Sequence, residues 1–384
     1  MRVKELLQLI PEEELNVLAI ETQVDHQVKK LSGLIMFQLI LFSMINRKRI
    51  SLRVMEEFLR SSSFRTLSNQ SEIDAKYNSL SDRISMIKAE YFEQIFYKLF
   101  DRFFIYLGED DTITRYDSTM VAVSCKLFNW GMKVGPNSKT DKHQLKFTIG
   151  MHGSLPSHLE IFSEQIDLAE DVALKKAILN DPKSRERPVV FDRGLKSKKA
   201  FEEFSNDEIL FVTRCNPKSR YILQEVNSIS TKPEGASVTL VEDLLVKLKY
   251  DFRKEDGNAF RLIKGRIDES GEEICFLTNI MEMTNYEVAA TYKLRWEIEI
   301  LFKFLKQELN ISHLVSRNQN GVKVMMYMSL ITAILIIAFR KLNKISSYKI
   351  AKLRFSLKLE NIIIGQIVLL CGGDLDKFNN LYDP

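Results

Sequence analysis

Sixteen consecutive residues, Val324 to Phe339 (VMMYMSLITAILIIAF), carry no charged side chain, and Lys323 and Arg340 close the run at its two ends. As a helix the run measures about 24 Å, short of the roughly 30 Å hydrocarbon core of a bilayer. A helix that is apolar on every face has to be enclosed, and at this length protein encloses it better than lipid does. A buried helix of a soluble protein is expected, with no membrane partner. The chain has 384 residues, 45% of them hydrophobic, enough to build two or three domains.

The first hundred residues read as helical and amphipathic. SGLIMFQLILFSMIN (32–46) is a buried-helix pattern followed by the basic turn RKRIS, and YNSLSDRISMIKAEYFEQIFYKLF (77–100) reads as one or two Ser-capped helices. Between them SSSFRTLSNQSEID is polar and loop-like. Residues 1–104 are thus expected to form an α-helical N-terminal domain, where a small DNA-binding unit or a bundle that only packs would fit equally.

From about residue 105 the texture changes. FFIYL, TRYDSTMVAVS, LKFTIGMHG and HLEIF are short β-rich runs, with Gly, Asn and Pro between them as in KVGPNSKTDK. LAEDVALKKAILN (168–180) reads as a helix, RPVVFDRG as a buried strand ending in a turn, and LKSKKAFEEF as another helix. Three antiparallel strands, a helix and a fourth strand make an α/β layer over 105–205. Residues 206–285 are strand-rich (ILFVTRCN, SVTLVEDLLVKL, NAFRLIKGRI, EEICFLTNI) and read as a β insertion. Long helices over 286–343 complete the main body, and 344–384 is a helical tail.

The net charge of +4 is small, but residues 126–147 hold five Lys against one Asp, and residues 181–200 hold seven Lys and Arg against three acids. Such clusters suit a phosphate backbone. Cys125, Cys215, Cys275 and Cys371 lie 60 to 96 residues apart without a CxxC pair, which argues against a zinc ribbon and fits a reducing, cytoplasmic compartment. The five histidines show no ligand spacing, and the N-terminus lacks a secretory apolar region.

The chemistry is carried by carboxylates. Asp117 lies on the first strand, in TRYDSTMV, and Asp192 ends PVVFD. In YKLRWEIEILFKFLK, read as one helix, Tyr292, Arg295, Glu299 and Lys306 fall at about 0°, −60°, −20° and −40°, a single stripe bordering the apolar face. Glu297 competes with Glu299 but lies about 160° away from it, and Asp110 and Asp111 compete with Asp117 from an acidic loop. Two strand acids joined by a helix acid would repel one another unless a cation holds them. Few carboxylates with water and phosphate oxygens make the Mg²⁺ pattern, and a pair of such ions suits phosphodiester displacement.

These residues resemble bacterial insertion-sequence transposases with a DDE triad, in the branch named for its Tyr-x2-Arg-x3-Glu-x6-Lys signature (insertion-sequence family four). The signature stands at full spacing in Tyr292, Arg295, Glu299 and Lys306, and YDST at Asp117 and DRG at Asp192 are similar to the family's first two acidic motifs. The resemblance covers about residues 110–315. It implies a ribonuclease-H-like core interrupted by a β insertion, with Asp117, Asp192 and Glu299 as catalytic metal ligands for two Mg²⁺ ions, Mn²⁺ substituting. It implies cut-and-paste movement through a DNA hairpin, with Tyr292, Arg295 and Lys306 on terminal phosphates and Trp296 stacking on a flipped base, core packing being the other reading of Trp296. The second aromatic of that clamp has no Trp here, and Phe276 or Tyr286 would have to stand in. The implied partners are double-stranded DNA with terminal inverted repeats, target DNA and a second copy of the chain. A transposase-derived DNA-binding protein without catalysis is the alternative.

Overall fold

The computed structural model describes residues 3–69, 73–124, 130–133, 142–249 and 257–382. Much of the first basic segment, including Lys126 and Lys139, lies outside the described residues, as do Cys125 and most of KVGPNSKTDK. The chain divides into two compact units, Asp110–Leu301 and a helical unit made of Met1–Glu109 with Phe302–Pro384.

In the helical unit the apolar run becomes the centre of a 24-residue helix, Gln319–Leu342, and every residue from Val324 to Phe339 is buried. It packs against the Ala89–Tyr106, Gly33–Asn46, Tyr77–Met86 and Tyr348–Leu370 helices of the same unit. Its buried Ser329 and Thr332 hydroxyls donate back to the carbonyls of Met325 (2.8 Å) and Met328 (2.7 Å), so they reach the core with partners. N-terminal and C-terminal helices therefore build one body, although sequence reading separates them as a leading domain and a tail. Two local readings also change. FFIYL forms the end of the Ala89–Tyr106 helix instead of a strand, and Ser62–Ser68 inside the loop-like segment is a short helix capped by Ser61.

The other unit is built on a ten-stranded mixed sheet. Its strands are β1 (Thr114–Ser124), β2 (Met132–Lys133), β3 (Lys142–His152), β4 (Leu155–Phe162), β5 (Val189–Phe191), β6 (Phe211–Arg214), β7 (Tyr221–Asn227), β8 (Val238–Leu248), β9 (Ala259–Ile267) and β10 (Glu273–Thr278). β4 pairs antiparallel with β3 across a two-residue turn that Gly153 enters at φ 59°, and β3 pairs antiparallel with β1. β1, β5 and β6 then run parallel. The order β4-β3-β1-β5-β6 is that of a ribonuclease-H-like core.

β6 is thus the fifth core strand, whereas ILFVTRCN reads in sequence as the start of the insertion. The insertion strands β7 to β10 do not leave the sheet. β10 pairs antiparallel with β6, and β9, β8 and β7 follow outward. The Glu170–Asn180 and Lys198–Asn206 helices cover one face through a layer that includes Tyr116, Phe191 and Phe204, and the Asn285–Lys293 helix covers the other through Val190, Phe276 and Tyr292.

Candidate active site

Strand alternation decides where the acids point. Tyr116 and Phe191 sit opposite one another in the β1–β5 pair, and both are buried in the first of those layers. Asp117 and Asp192, one residue further along, face the other side, together with Ile113 and Val190. They stand just past the carboxyl end of the parallel β1–β5 pairing, which joins Thr114–Tyr116 to Val189–Phe191, and open α/β sheets take their ligands at such ends.

The Asn285–Lys293 helix brings Tyr292 to this place. Its hydroxyl donates to Asp192 Oδ1 at 3.0 Å, and burial, followed by the charge of Asp192, pushes its pKa up to about 12, so it remains a neutral donor. Arg295 follows at the end of that helix. Its guanidinium donates to Glu299 Oε1 at 2.5 Å, lies 4.0 Å from Asp117 Oδ2, and rests 5.8 Å from the centre of the Tyr292 ring. Its Nε is buried without a hydrogen-bond partner among the described residues. Asp117, Asp192, Tyr292, Arg295 and Glu299 therefore form one connected set. Lys306, further along the Trp296–Glu308 helix, is exposed and belongs to the helical unit, where its Nζ lies 6.0 Å from the centre of the Phe302 ring.

The single helix expected from Tyr292 to Lys306 is two helices, Asn285–Lys293 and Trp296–Glu308, joined at Leu294 and Arg295. Arg115 reaches into this junction. It is 2% exposed, and its Nε donates to the Leu294 carbonyl at 2.8 Å, the acceptor that Ile298 N–H would use in a continuous helix. Ile298 N–H bonds to the Arg295 carbonyl instead, and the backbone tightens to i→i−3 bonds through the junction. Arg115 also pairs with Asp111 and with Glu297, the latter at 3.0 Å. Two of the competing acids are thereby held away from Asp117 and Glu299. Arg115 was legible in principle, since it lies two residues before Asp117 on the same strand face. Replacing it with Met is expected to lower stability by about 3 kcal/mol, because two acids and a carbonyl lose a buried partner; denaturant unfolding at matched pH checks this.

Glu170 is a second residue that sequence reading passes over. It accepts from Ser118 Oγ at 2.6 Å and Lys146 Nζ at 2.9 Å, while Ser118 N–H donates to Asp117 Oδ1 at 2.8 Å. A Cβ on Gly194, the glycine of DRG, would stand 3.0 Å from the Glu170 Cγ. Glu170 thus occupies the space beside both aspartate-bearing strand ends, and it is 52 residues from Ser118 in a stretch without any motif.

Burial pushes the Asp117 carboxyl up to about 6; Ser118 N–H and Arg295 pull against that, while Glu170 and Asp192 add to it. Among the described residues no three acidic, His or Cys groups close into a ready metal-binding cluster, and Glu299 is turned onto Arg295. The donor chemistry nonetheless suits a hard divalent cation: oxygen donors only, with one acid, Asp117, whose buried ionised form is only partly compensated by Ser118 N–H and Arg295.

Beside this set opens a cavity of about 760 Å³ whose lining includes Phe276, Tyr286, Tyr292, Arg295, Trp296 and residues 233–238. Trp296 is 61% exposed, so core packing is not its role, and the two aromatics considered for the missing partner line the same space.

Residues 111–335 match the family model described as "Transposase DDE domain". A Sinorhizobium fredii protein named as a transposase, y4zB, is 32% identical over 162 residues, which are 41% of this chain and 44% of that one. A Geobacillus stearothermophilus protein named as a transposase for insertion sequence element IS5377 is 22% identical over 221 residues, 57% of this chain and 54% of that one. The chain thus spans about half the length of these relatives. The cryo-EM structure of the piggyBac transposase synaptic complex with hairpin DNA aligns at a TM-score of 0.42 and 11% identity, over 86% of this chain and 71% of that chain, a likeness too slight to bear on the site.

Proposed function

The chain belongs to the transposase DDE-domain family, and from that premise we propose that it is a DNA transposase that moves an insertion sequence by cutting and rejoining DNA at the element's ends. The observation that carries this reading is the connected set in which Tyr292 bonds Asp192 while Arg295 bonds Glu299 and approaches Asp117.

Asp117, Asp192 and Glu299 would hold two divalent cations, Mg²⁺ or in its place Mn²⁺, which supply charge neutralisation at the attacking and leaving oxygens. Arg295 offers to a terminal phosphate its Nε–H, which has no partner among the described residues, and Lys306 adds a point charge for the backbone. Tyr292 gives a neutral O–H, and Trp296 with the neighbouring cavity keeps an unstacked base out of the duplex. Water attacks phosphorus at the element's end and the 3′-oxygen leaves. That 3′-hydroxyl attacks the opposite strand to close a hairpin, water reopens it, and the 3′-hydroxyl finally attacks target DNA. All four steps are displacements at phosphorus, so one site can serve each in turn. The partners are duplex DNA with terminal inverted repeats, target DNA and a second copy of the chain that joins the two ends, in the bacterial cytoplasm.

The test is incubation of the full chain with DNA carrying the element's own ends and Mg²⁺. Strand cleavage at those ends is expected. Binding without cleavage in both Mg²⁺ and Mn²⁺ would leave only a DNA-binding protein.

Because Trp296 is largely exposed, Trp296→Ala should change stability by less than about 0.5 kcal/mol. First-strand nicking should persist while hairpin yield falls roughly tenfold, the worth of one base stack. Denaturing gels resolve the two products, and an undiminished hairpin band would remove Trp296 from the clamp.

A further inference from the structure

A second cavity, of about 490 Å³, opens on the opposite face of the sheet from Tyr292, at the turn that follows Asp192. Four cations line it, Arg193, Lys196, Lys198 and Arg214, against one acid, Glu273. Neither Arg193 nor Lys196 is held in an ion pair among the described residues. Among the described residues Lys198 Nζ donates to the carbonyls of Arg220 (2.7 Å) and Lys249 (2.9 Å), and burial, then the charge of Arg220, lowers its pKa. The acid paired with Arg214 is Glu272, 3.8 Å away. The rim is therefore positive and short of anions.

The floor is of another kind. Leu195, Phe201, Leu262 and Leu277 form it with Cys215 and Cys275. The two sulfurs lie 3.1 Å apart, and the contact with Cys275, helped by burial, holds the Cys215 thiol protonated well above its usual range. The floor is thus uncharged. An apolar floor beneath a cationic rim, within the roughly 300–1,000 Å³ usual for ligand pockets, suits a ligand with a flat apolar face and attached phosphates.

We propose that this cavity receives one unpaired nucleotide of a DNA strand passing over the Asp192 turn, with the base on the apolar floor and the flanking phosphates on Arg193, Lys196 and Arg214. A paired base could not serve, because its face is covered by its neighbours in the duplex. The site differs from the Trp296 cavity in being on the other face of the sheet. It would hold a strand on the far side of the Asp192 turn while the bond beside Asp192 is cut. This inference rests on the DNA-processing reading above.

The experiment is photocrosslinking of the full chain to a short single-stranded oligothymidylate carrying 4-thiothymidine, with adducts mapped by mass spectrometry. Adducts are expected within 193–219 or 262–277. Lys196 is exposed, so Lys196→Glu should leave the melting temperature unchanged; it should weaken oligonucleotide binding about tenfold and make its salt dependence shallower by about one unit of slope. Lys196→Gln should fall between. Adducts confined to 286–299, or affinity and slope unchanged by Lys196→Glu, would overturn the proposal. A chain that cleaves element ends yet fails these tests loses this inference alone. A chain that binds neither duplex nor single strand loses it together with the transposase reading.

Discussion

Glu299→Gln is expected to abolish strand cleavage at element ends while end binding survives. Replacing a metal-holding carboxylate removes several kcal/mol of transition-state charge stabilisation, about three factors of ten in rate or more. The fold should scarcely notice. The Glu299 side chain is 35% exposed and its ion pair with Arg295 is local to one helix end, so the stability change should stay below about 1 kcal/mol. Glu297→Gln is the matched control. Its carboxylate is committed to Arg115, and its loss should leave cleavage within a few fold of the parent. Cleavage by the Glu299 variant within tenfold of the parent would remove this residue from the triad.

Asp117→Asn should move activity and stability in opposite directions. Cleavage is expected to be lost, as for Glu299→Gln, but the folded protein should gain stability at neutral pH. The sign follows from the pKa. The native carboxyl titrates near 6, above the ordinary 3.8, so between those values the folded state binds more protons than the unfolded chain. Stability contributed by this residue therefore falls as pH rises from about 4 to about 6, and stays low above that. An asparagine carries no such penalty and keeps an oxygen for the Ser118 N–H. The gain should be about 2 kcal/mol near pH 7.5, after allowance for partial exposure, and should vanish near pH 4. Thermal melts of both proteins across this range check it. A variant no more stable than the parent at neutral pH would mean that Asp117 is not a penalised carboxylate.

The parts of the fold that repeat with a short period were legible. PVVFD announces a buried strand ending in an acid, and the alternation in TRYDSTMVAVS places Asp117 on one face. The signature residues are named through the resemblance to the family's pattern, whereas their arrangement is not legible from it. A helical projection assumes an unbroken ladder, and Arg115, 179 residues from Leu294, takes one of its carbonyls. FFIYL misleads because aromatic and β-branched residues favour strands, while here they finish a helix whose Phe103 enters the core. The strand Phe211–Arg214 carries nothing local that says whether it belongs to the core or the insertion, since that depends on pairing with Val189–Phe191. Glu170 lacked any signal, because its importance comes from a serine and a glycine that sit near it only after folding.

The hydrogen bonding of β10 to β6 has a practical consequence for anyone trimming the chain. Excising 217–278 to obtain a minimal nuclease would strip the row of main-chain donors and acceptors on Phe211–Arg214 of its neighbour. Such a raw border recruits strands from other molecules, so the shortened protein should precipitate or form ribbons before its chemistry could be assayed.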